Sequence, residues 1–202
     1  MTDYTFPSTI VPATNALSFL DNTAEFRSPL SGTTRTESRP GGHWSMLLTV
    51  ANLKNLTGAN DPLHELEAFI FRLNGKQHRA VIKDHAYLRS GSGGGTPVVN
   101  GAAQTGLTLN TSGWSNSTTV LYAGDRIGIS GQMIPVVSDV TSGGTGLATI
   151  TLAHPIRTAV ASGTAIEITA PTARFILQNK AGLDARPGIF KTVMLEFQED
   201  II

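Results

Sequence analysis

Apolar and polar residues alternate in several short stretches of the chain, which is the pattern of half-buried β-strands. Near the start, residues 15–20 have this pattern, and residues 25–30 form a second candidate strand that Pro29 confines to a sheet edge. Residues 31–42 are polar and rich in glycine, so they are predicted to form a loop. A more apolar stretch at 44–50 predicts a further strand.

One segment has the spacing of an amphipathic helix. Asp61 can cap its start, Pro62 suits the first helical position, and Asn74-Gly75 supplies a stop at which Gly75 is free to take a positive φ. The predicted apolar face consists of Leu63, Leu66, Phe69, Ile70 and Leu73. A strand at 78–84 is predicted to return from this helix.

The composition changes at Arg89. Residues 90–97 are mostly glycine and serine, which predicts a flexible and exposed segment. Gly131-Gln132 fits a tight hairpin turn, and Gly143-Gly144-Thr145-Gly146 fits another turn. The short strands predicted around them are 107–109, 119–122, 126–130, 133–137, 147–152 and 165–169. This region is therefore predicted to be a small all-β barrel or compact sandwich.

The last part of the chain resembles the part before Arg89 in its residue pattern, and strands are predicted at 173–177 and 190–197. We predict one domain built from both ends of the chain, 1–87 plus 171–202, into which a β-rich domain is inserted at 88–170. Such insertions are tolerated at exposed loops because the host core is left intact. The predicted fold class is mainly β with a minor α component: a β-sandwich-like domain with one helix, plus the inserted β-domain.

The composition excludes several classes of function. Among 202 residues, 15 are basic and 15 acidic, so the chain lacks the basic excess that nucleic-acid binding needs. The absence of cysteine excludes disulfides, thiol catalysis and cysteine-ligated metal sites. We expect no secretory signal and no membrane insertion, since no apolar run approaches about 18 residues. Charged residues are 15% of the chain, below the usual level of about 25%.

Candidate catalytic groups lack the required spacing. His78 and His85 would point to opposite faces of one strand, which suits no shared metal ion. The chain has no G-x-S-x-G nucleophile motif, and Asp125 is expected to bond backbone amides in a turn. We therefore predict no enzyme activity, no metal and no cofactor, and a small hydrolase ranks last among the functions considered.

Two features are open to alternative interpretations. Trp114 lies in a polar stretch at 111–116, so it either stacks on a sugar or partner from an exposed loop or plugs one end of the barrel. Residues 1–40 form either an arm that orders on a partner or an ordinary loop with an edge hairpin. In the arm, Arg35, Glu37 and Arg39 would make rim contacts, which singly contribute little.

The order of several short motifs resembles tail-tip proteins of long-tailed bacteriophages. A strand with a tryptophan at 42–47 is followed by a helix that ends in a Leu-x-Gly step at 63–76. In the second half, the order of Gly-Trp, Ala-Gly-Asp, a hairpin and Pro-x-Arg is similar to the insertion in phage distal tail proteins. The matching segments there are 100–106, 113–114, 121–125 and 155–159.

This resemblance implies a structural virion protein that is assembled in the host cytoplasm and located at the phage tail tip. The domain of 1–87 plus 171–202 would be a belt that oligomerises into a ring, commonly a hexamer, between the tail tube and the hub or adhesin proteins. The inserted domain would project outward with an OB-like or galectin-like fold. Candidate interaction residues are Arg39, Trp44, Trp114 and Tyr122. The alternative is a carbohydrate-binding module that binds a host-surface glycan through Trp114 or Tyr122.

Overall fold

The computed structural model describes residues 1–39, 41–53, 61–179 and 191–201. In chain order their elements are β1 (Asp3–Thr5), β2 (Thr14–Leu20), β3 (Thr23–Arg27), β4 (Thr34–Ser38), β5 (His43–Leu53), α1 (Pro62–Leu73), β6 (Arg79–Lys83), β7 (Gly95–Val99), β8 (Gln104–Trp114), β9 (Thr119–Leu121), β10 (Arg126–Ile129), β11 (Gln132–Pro135), β12 (Val140–Thr141), β13 (Ala148–Val160), β14 (Thr172–Leu177) and β15 (Lys191–Glu199). The prediction of a mainly β fold with one helix is confirmed for this part of the chain. Phe190, the first residue of the last predicted strand, and Pro40, in the predicted loop, lie outside the described residues.

The chain divides into two compact units. Unit 1 contains Met1–Ala80 and Phe175–Ile201, and unit 2 contains Val81–Arg174. The predicted insertion at 88–170 lies within unit 2. Its projecting role and its OB-like or galectin-like fold stay predictions.

A six-stranded sheet with the order β1-β6-β14-β15-β5-β2 is the main sheet, and β2, β5, β15 and β14 pair antiparallel in it. Because side chains alternate along a strand, one face of β5 and β15 is apolar and buried while the other is accessible. The buried residues of this face are Trp44, Met46, Leu48, Val50, Val193, Leu195 and Phe197. Leu17 and Phe19 of β2 share this face, opposite Met46 and Trp44.

The helix α1 forms where the sequence predicts it. Its cap Asp61 accepts a hydrogen bond from the backbone N–H of Leu63 at 2.9 Å through Oδ1. The helix ends where Asn74 and Gly75 take left-handed φ values of 46° and 68°. Leu63, Leu66, Phe69 and Leu73 are buried as predicted, whereas Ile70 of the same predicted face is only half-buried.

Removal of the helix cap gives a first testable expectation. Asp61→Ala deletes the acceptor for the Leu63 N–H and is expected to lower the free energy of unfolding by about 1 kcal/mol. Asp61→Asn keeps a side-chain oxygen at the same place, so it is the matched control and should lose much less. Urea denaturation followed by circular dichroism measures both. Equal losses for the two variants would show that the cap is not what Asp61 contributes.

The predicted loop at 31–42 is wrong in part. Residues 34–38 form β4, which pairs antiparallel with β3 in a two-stranded hairpin from Thr23↔Ser38 to Arg27↔Thr34. The polar sequence of β4 has no apolar alternation, so the strand arises from backbone pairing with β3 rather than from burial of its own side chains. We refer to residues 23–38 as the arm.

Unit 2 encloses its own apolar core. A three-stranded sheet with the order β13-β8-β7 lies beside the pairs β10-β11 and β12-β9. The core includes Leu109, Trp114, Leu121, Ile127, Ile134, Ile150, Leu152 and Ile156. The predicted strand at 165–169 contributes only isolated bridges, in which Ala165 pairs with Val98 and Glu167 with Gly128.

Two further predictions about unit 2 need correction. The hairpin turn is Ser130-Gly131 rather than Gly131-Gln132, because Ile129 pairs with Gln132 and both turn residues have positive φ. The segment 90–97 is not uniformly exposed, since Gly91 is buried and Gly95 begins β7. A Cβ at Gly91 would come within 2.2 Å of the Val120 carbonyl oxygen, so close packing explains this glycine better than flexibility.

Candidate assembly surfaces

The four candidate interaction residues are divided between the two units. Arg39 and Trp44 belong to unit 1, and Trp114 and Tyr122 belong to unit 2. Arg39 is exposed and closes the base of the arm by donating its backbone N–H to the Asn22 carbonyl at 3.1 Å. Tyr122 is 43% exposed in the turn after β9.

Trp114 is not in an exposed loop. It is the last residue of β8 and only 4% exposed. Its indole Nε1 donates to Thr111 Oγ1 at 2.7 Å, and Thr111 Oγ1 donates to the Ala148 carbonyl at 2.7 Å. Some of the polar residues that suggested a loop, such as Ser112, belong to this strand. The ring therefore belongs to the core of unit 2, which contradicts the exposed-loop alternative, and its position in a strand was not predicted.

Trp44 is also a core residue. Its ring meets Phe19 edge to face, with 5.2 Å between the ring centroids. Its backbone N–H donates to the buried Glu199 carboxylate at 3.0 Å. A direct contact of this indole with a partner would require the local structure to open.

The arm has almost no buried surface of its own. None of the described side chains in β3 and β4 is buried. Phe26 is 67% exposed, and Leu30, in the turn between the strands, is 98% exposed. The register places Phe26 opposite Arg35, so an apolar ring and a guanidinium share one face of the arm. Phe26 and Leu30 are therefore exposed apolar side chains on a hairpin whose described side chains form no buried face.

The second surface of unit 1 is the accessible face of the main sheet. Leu20, Leu47 and Met194 are 48%, 38% and 60% exposed on it. A groove of about 360 Å³ crosses this face, lined by Leu20, His43, Ser45, Met46, Leu47, Gln178, Glu196, Phe197 and Gln198. Met46 and Phe197 belong to the buried face, so we refer to the other lining residues, together with Met194, as the open face. It combines apolar side chains with one carboxylate, that of Glu196.

In unit 2, Asp125 holds two segments of the chain together. Its Oδ2 accepts backbone N–H groups from Tyr122 and Gly91, each at 2.9 Å, and its Oδ1 accepts the Ser90 N–H at 2.7 Å. The bond to Tyr122 confirms the predicted turn. The bonds to Ser90 and Gly91 could not be predicted, because they join residues more than thirty positions apart. Asp125 is 2% exposed; its bond to Gly91 is buried, and those to Ser90 and Tyr122 are part-buried.

The titratable groups around Asp125 fit a structural network. Tyr87 Oη accepts the Arg126 N–H at 3.0 Å and lies 3.4 Å from Asp125 Oδ1. Burial raises the pKa of the Tyr87 phenol, which keeps it protonated. The Arg126 guanidinium pairs with the Asp84 carboxylate, and burial lowers the pKa of Arg126. Burial also lowers the pKa of His85, with a smaller contribution from Lys83.

A shallow polar groove of about 390 Å³ lies elsewhere on unit 2, lined by Asn100, Asn110, Thr111, Thr141, Leu147, Ala148 and Thr149. Its polar side chains suit a hydrated ligand, but no aromatic ring is among these residues. The Asn110 amide oxygen already accepts a hydrogen bond from Thr149 Oγ1 at 2.9 Å.

The histidines flank β6 rather than sharing a strand. His78 precedes β6, and its Nδ1 accepts the Thr2 N–H at 3.2 Å, while His85 follows the strand. Among the described residues, no group of three or more His, Asp or Glu side chains could hold a metal ion. No helix in that part of the chain has the length and apolarity needed to cross a membrane.

The sequence was also compared with known proteins. It matches no protein-family model and no curated protein. The resemblance to phage distal tail proteins therefore rests on the motifs of this chain alone.

Proposed function

We propose that this protein is a structural subunit of a phage tail tip that oligomerises into a ring between the tail tube and the hub or adhesin apparatus. The observation that carries the proposal is that unit 1 has two separate exposed surfaces with apolar side chains, the arm and the open face. Burial of Phe26 and Leu30 against a neighbour would remove exposed apolar surface from water, which would favour assembly.

The composition agrees with this role. Only 15% of the residues are charged, and charged residues are depleted at the cores of interfaces. The order of motifs that resembles distal tail proteins is what supports a phage tail tip as the assembly. The expected partners are further copies of the chain, the tail tube protein and the hub or adhesin proteins.

The decisive experiment measures the mass of the oligomer and the position of the protein in the phage particle. Light scattering after size-exclusion chromatography of the full chain is expected to give a discrete oligomer, a hexamer being the first expectation, and electron microscopy should show rings. Density or antibody label is expected at the tail tip of the particle. A chain that is monomeric at high concentration and missing from the tail tip would refute the proposal.

Binding of a host glycan by unit 2 is the second candidate. Trp114 cannot contact a glycan in this structure, because its indole is buried in the core. Tyr122, with 43% of its surface accessible, is the aromatic residue on which this alternative now depends. Glycan binding by the isolated chain, lost in Tyr122→Ala with the fold intact, would favour it.

A further inference from the structure

Residues 1–10 dock on unit 1 at one edge of the main sheet, and we refer to them as the strap. The Arg79 N–H donates to the Thr2 carbonyl at 3.0 Å, which joins the strap to the first residue of β6. The Arg79 guanidinium lies 3.8 Å from the Asp3 carboxylate. The first half of the strap therefore completes the sheet beside β6.

The second half of the strap is anchored on α1. Phe6 and Ile10 are 6% and 3% exposed, and the Phe6 ring meets Phe69 of the helix edge to face, with 5.4 Å between the centroids. The Thr9 hydroxyl donates to the Glu65 carboxylate of the same helix. The strap thus has the buried apolar anchors and the polar contacts of a docked segment.

The strap and the strand that follows it lie at opposite edges of the main sheet. The order β1-β6-β14-β15-β5-β2 separates β1 from β2 by five strand spacings, which is roughly 24 Å. Residues 6–13 make the connection, and the Ile10 N–H donates to the Pro7 carbonyl at 3.2 Å, so part of it is folded into a turn. Extended chain on both sides of that turn, with the turn itself, reaches about 28 Å at most. The crossing therefore has little spare length.

A short hinge joins the strap to β2. It consists of Val11, Pro12 and Ala13, and the sheet already fixes Ala13, whose N–H donates to the Thr49 carbonyl at 2.7 Å. Val11 is 78% exposed, so packing of its side chain contributes little to holding the hinge, and the Pro12 ring restricts the backbone. Short hinges under strain favour exchange of the segment that they carry between copies of a chain.

Deepening the proposed function, on which this inference rests, we propose that the strap of one copy docks on β6 and α1 of the next copy. The structure specifies the occupant of this site, because the strap of the same chain already fills it. Exchange replaces each docked contact by an identical one and changes only the hinge, which no longer has to span the sheet. Every copy gives its strap to one neighbour and receives a strap from the other, and such contacts form a ring when the rotation closes.

Crosslinking through introduced cysteines tests the exchange directly, because the chain has no cysteine of its own. Thr9→Cys and Glu65→Cys are made as two separate variants of the full chain, since these side chains touch when the strap is docked. The two variants are mixed in urea, refolded together and treated with a short bismaleimide. The expected product is a covalent dimer on a denaturing gel, and either variant refolded alone should give little of it.

A chain with both substitutions separates the two arrangements. Exchange between copies links such chains into covalent dimers and larger products, whereas a strap bound to its own chain gives a crosslinked monomer. Crosslinked monomer alone, together with no dimer from the mixture, would overturn the proposal.

The length of the hinge gives a second measurement. Insertion of Gly-Ser-Gly-Ser between Val11 and Pro12 relieves the crossing, so the strap is expected to bind its own chain and the yield of covalent dimer to fall about tenfold. The same insertion between Gly144 and Thr145, in an exposed turn of unit 2, is the matched control and should leave the yield unchanged. Circular dichroism melting verifies that every variant is folded. An unchanged yield in the hinge variant would contradict an exchange favoured by this hinge.

The failure of this proposal differs from the failure of the ring proposal. If the wild type forms a ring at the tail tip while the mixture gives no covalent dimer, the exchange is refuted and the ring stands. If the mixture gives covalent dimers while the wild type forms only a closed dimer that is missing from the tail tip, the ring is refuted and the exchange stands. If the wild type stays monomeric and the mixture gives no covalent dimer, both are refuted.

Discussion

Asp125→Ala is expected to lower the free energy of unfolding of unit 2 by about 3–5 kcal/mol. The substitution removes the acceptor of three backbone N–H groups, those of Ser90, Gly91 and Tyr122. A buried donor left without an acceptor costs about 1–3 kcal/mol, so the loss is well above that of an ordinary surface change. Asp125→Asn keeps one accepting oxygen and should lose a smaller amount.

The two tryptophans of the chain allow this loss to be measured in one unit, because Trp44 lies in unit 1 and Trp114 in unit 2. In a Trp44→Phe background, the fluorescence of Trp114 during urea denaturation reports on unit 2. Asp139→Ala is the matched control, since Asp139 also accepts a backbone N–H, that of Ala123 at 2.9 Å, but at an exposed site. A loss at Asp125 no larger than at Asp139 would contradict the structural role of this network.

Trp114→Ala is expected to destabilise the protein by about 3–5 kcal/mol. The change leaves a cavity in the core of unit 2 and removes the Nε1 donor to Thr111. Trp114→Phe fills most of the cavity without that donor, so it should lose roughly 1–2 kcal/mol. Circular dichroism during urea denaturation gives the three unfolding free energies.

Tyr122→Ala is the control for the tryptophan, because it truncates an aromatic ring that is 43% exposed in the same unit. It is expected to change stability by less than about 0.5 kcal/mol. Similar losses at the two positions would mean that Trp114 does not contribute to the core. The same pair separates folding from glycan recognition: a glycan signal lost in Trp114→Ala follows from unfolding, whereas one lost only in Tyr122→Ala reports on binding.

The bounds and the buried face of the helix α1 depend on residues that are close together in the sequence. Asp61, Pro62 and Asn74-Gly75 act on the backbone within a few residues, and the apolar spacing between them repeats every helical turn. Both boundaries and the buried face could therefore be read from the sequence. The alternation in β5 and β15 was readable for the same reason, since each strand has one buried face.

The arm shows the opposite case. No residue of β4 is apolar, so its sequence lacks the apolar alternation of a half-buried strand, and the strand is held by backbone pairing with β3. Strand propensity depends on neighbours in this way far more than helix propensity does. The sequence could suggest a partner-binding segment in residues 1–40, but it could not indicate that Phe26 and Leu30 are exposed on a hairpin.

By itself, then, the sequence determined the mainly β class, the helix with its caps, and the change in composition that accompanies unit 2. Only the tertiary structure decided that Trp114 lies in a core, that Asp125 reaches Ser90 and Gly91, and that one sheet face stays open while an arm projects without burial. The physical reason is the distance along the chain over which each kind of interaction acts. Capping, turn geometry and side-chain periodicity act between near neighbours, whereas burial and strand pairing are set by residues tens of positions away.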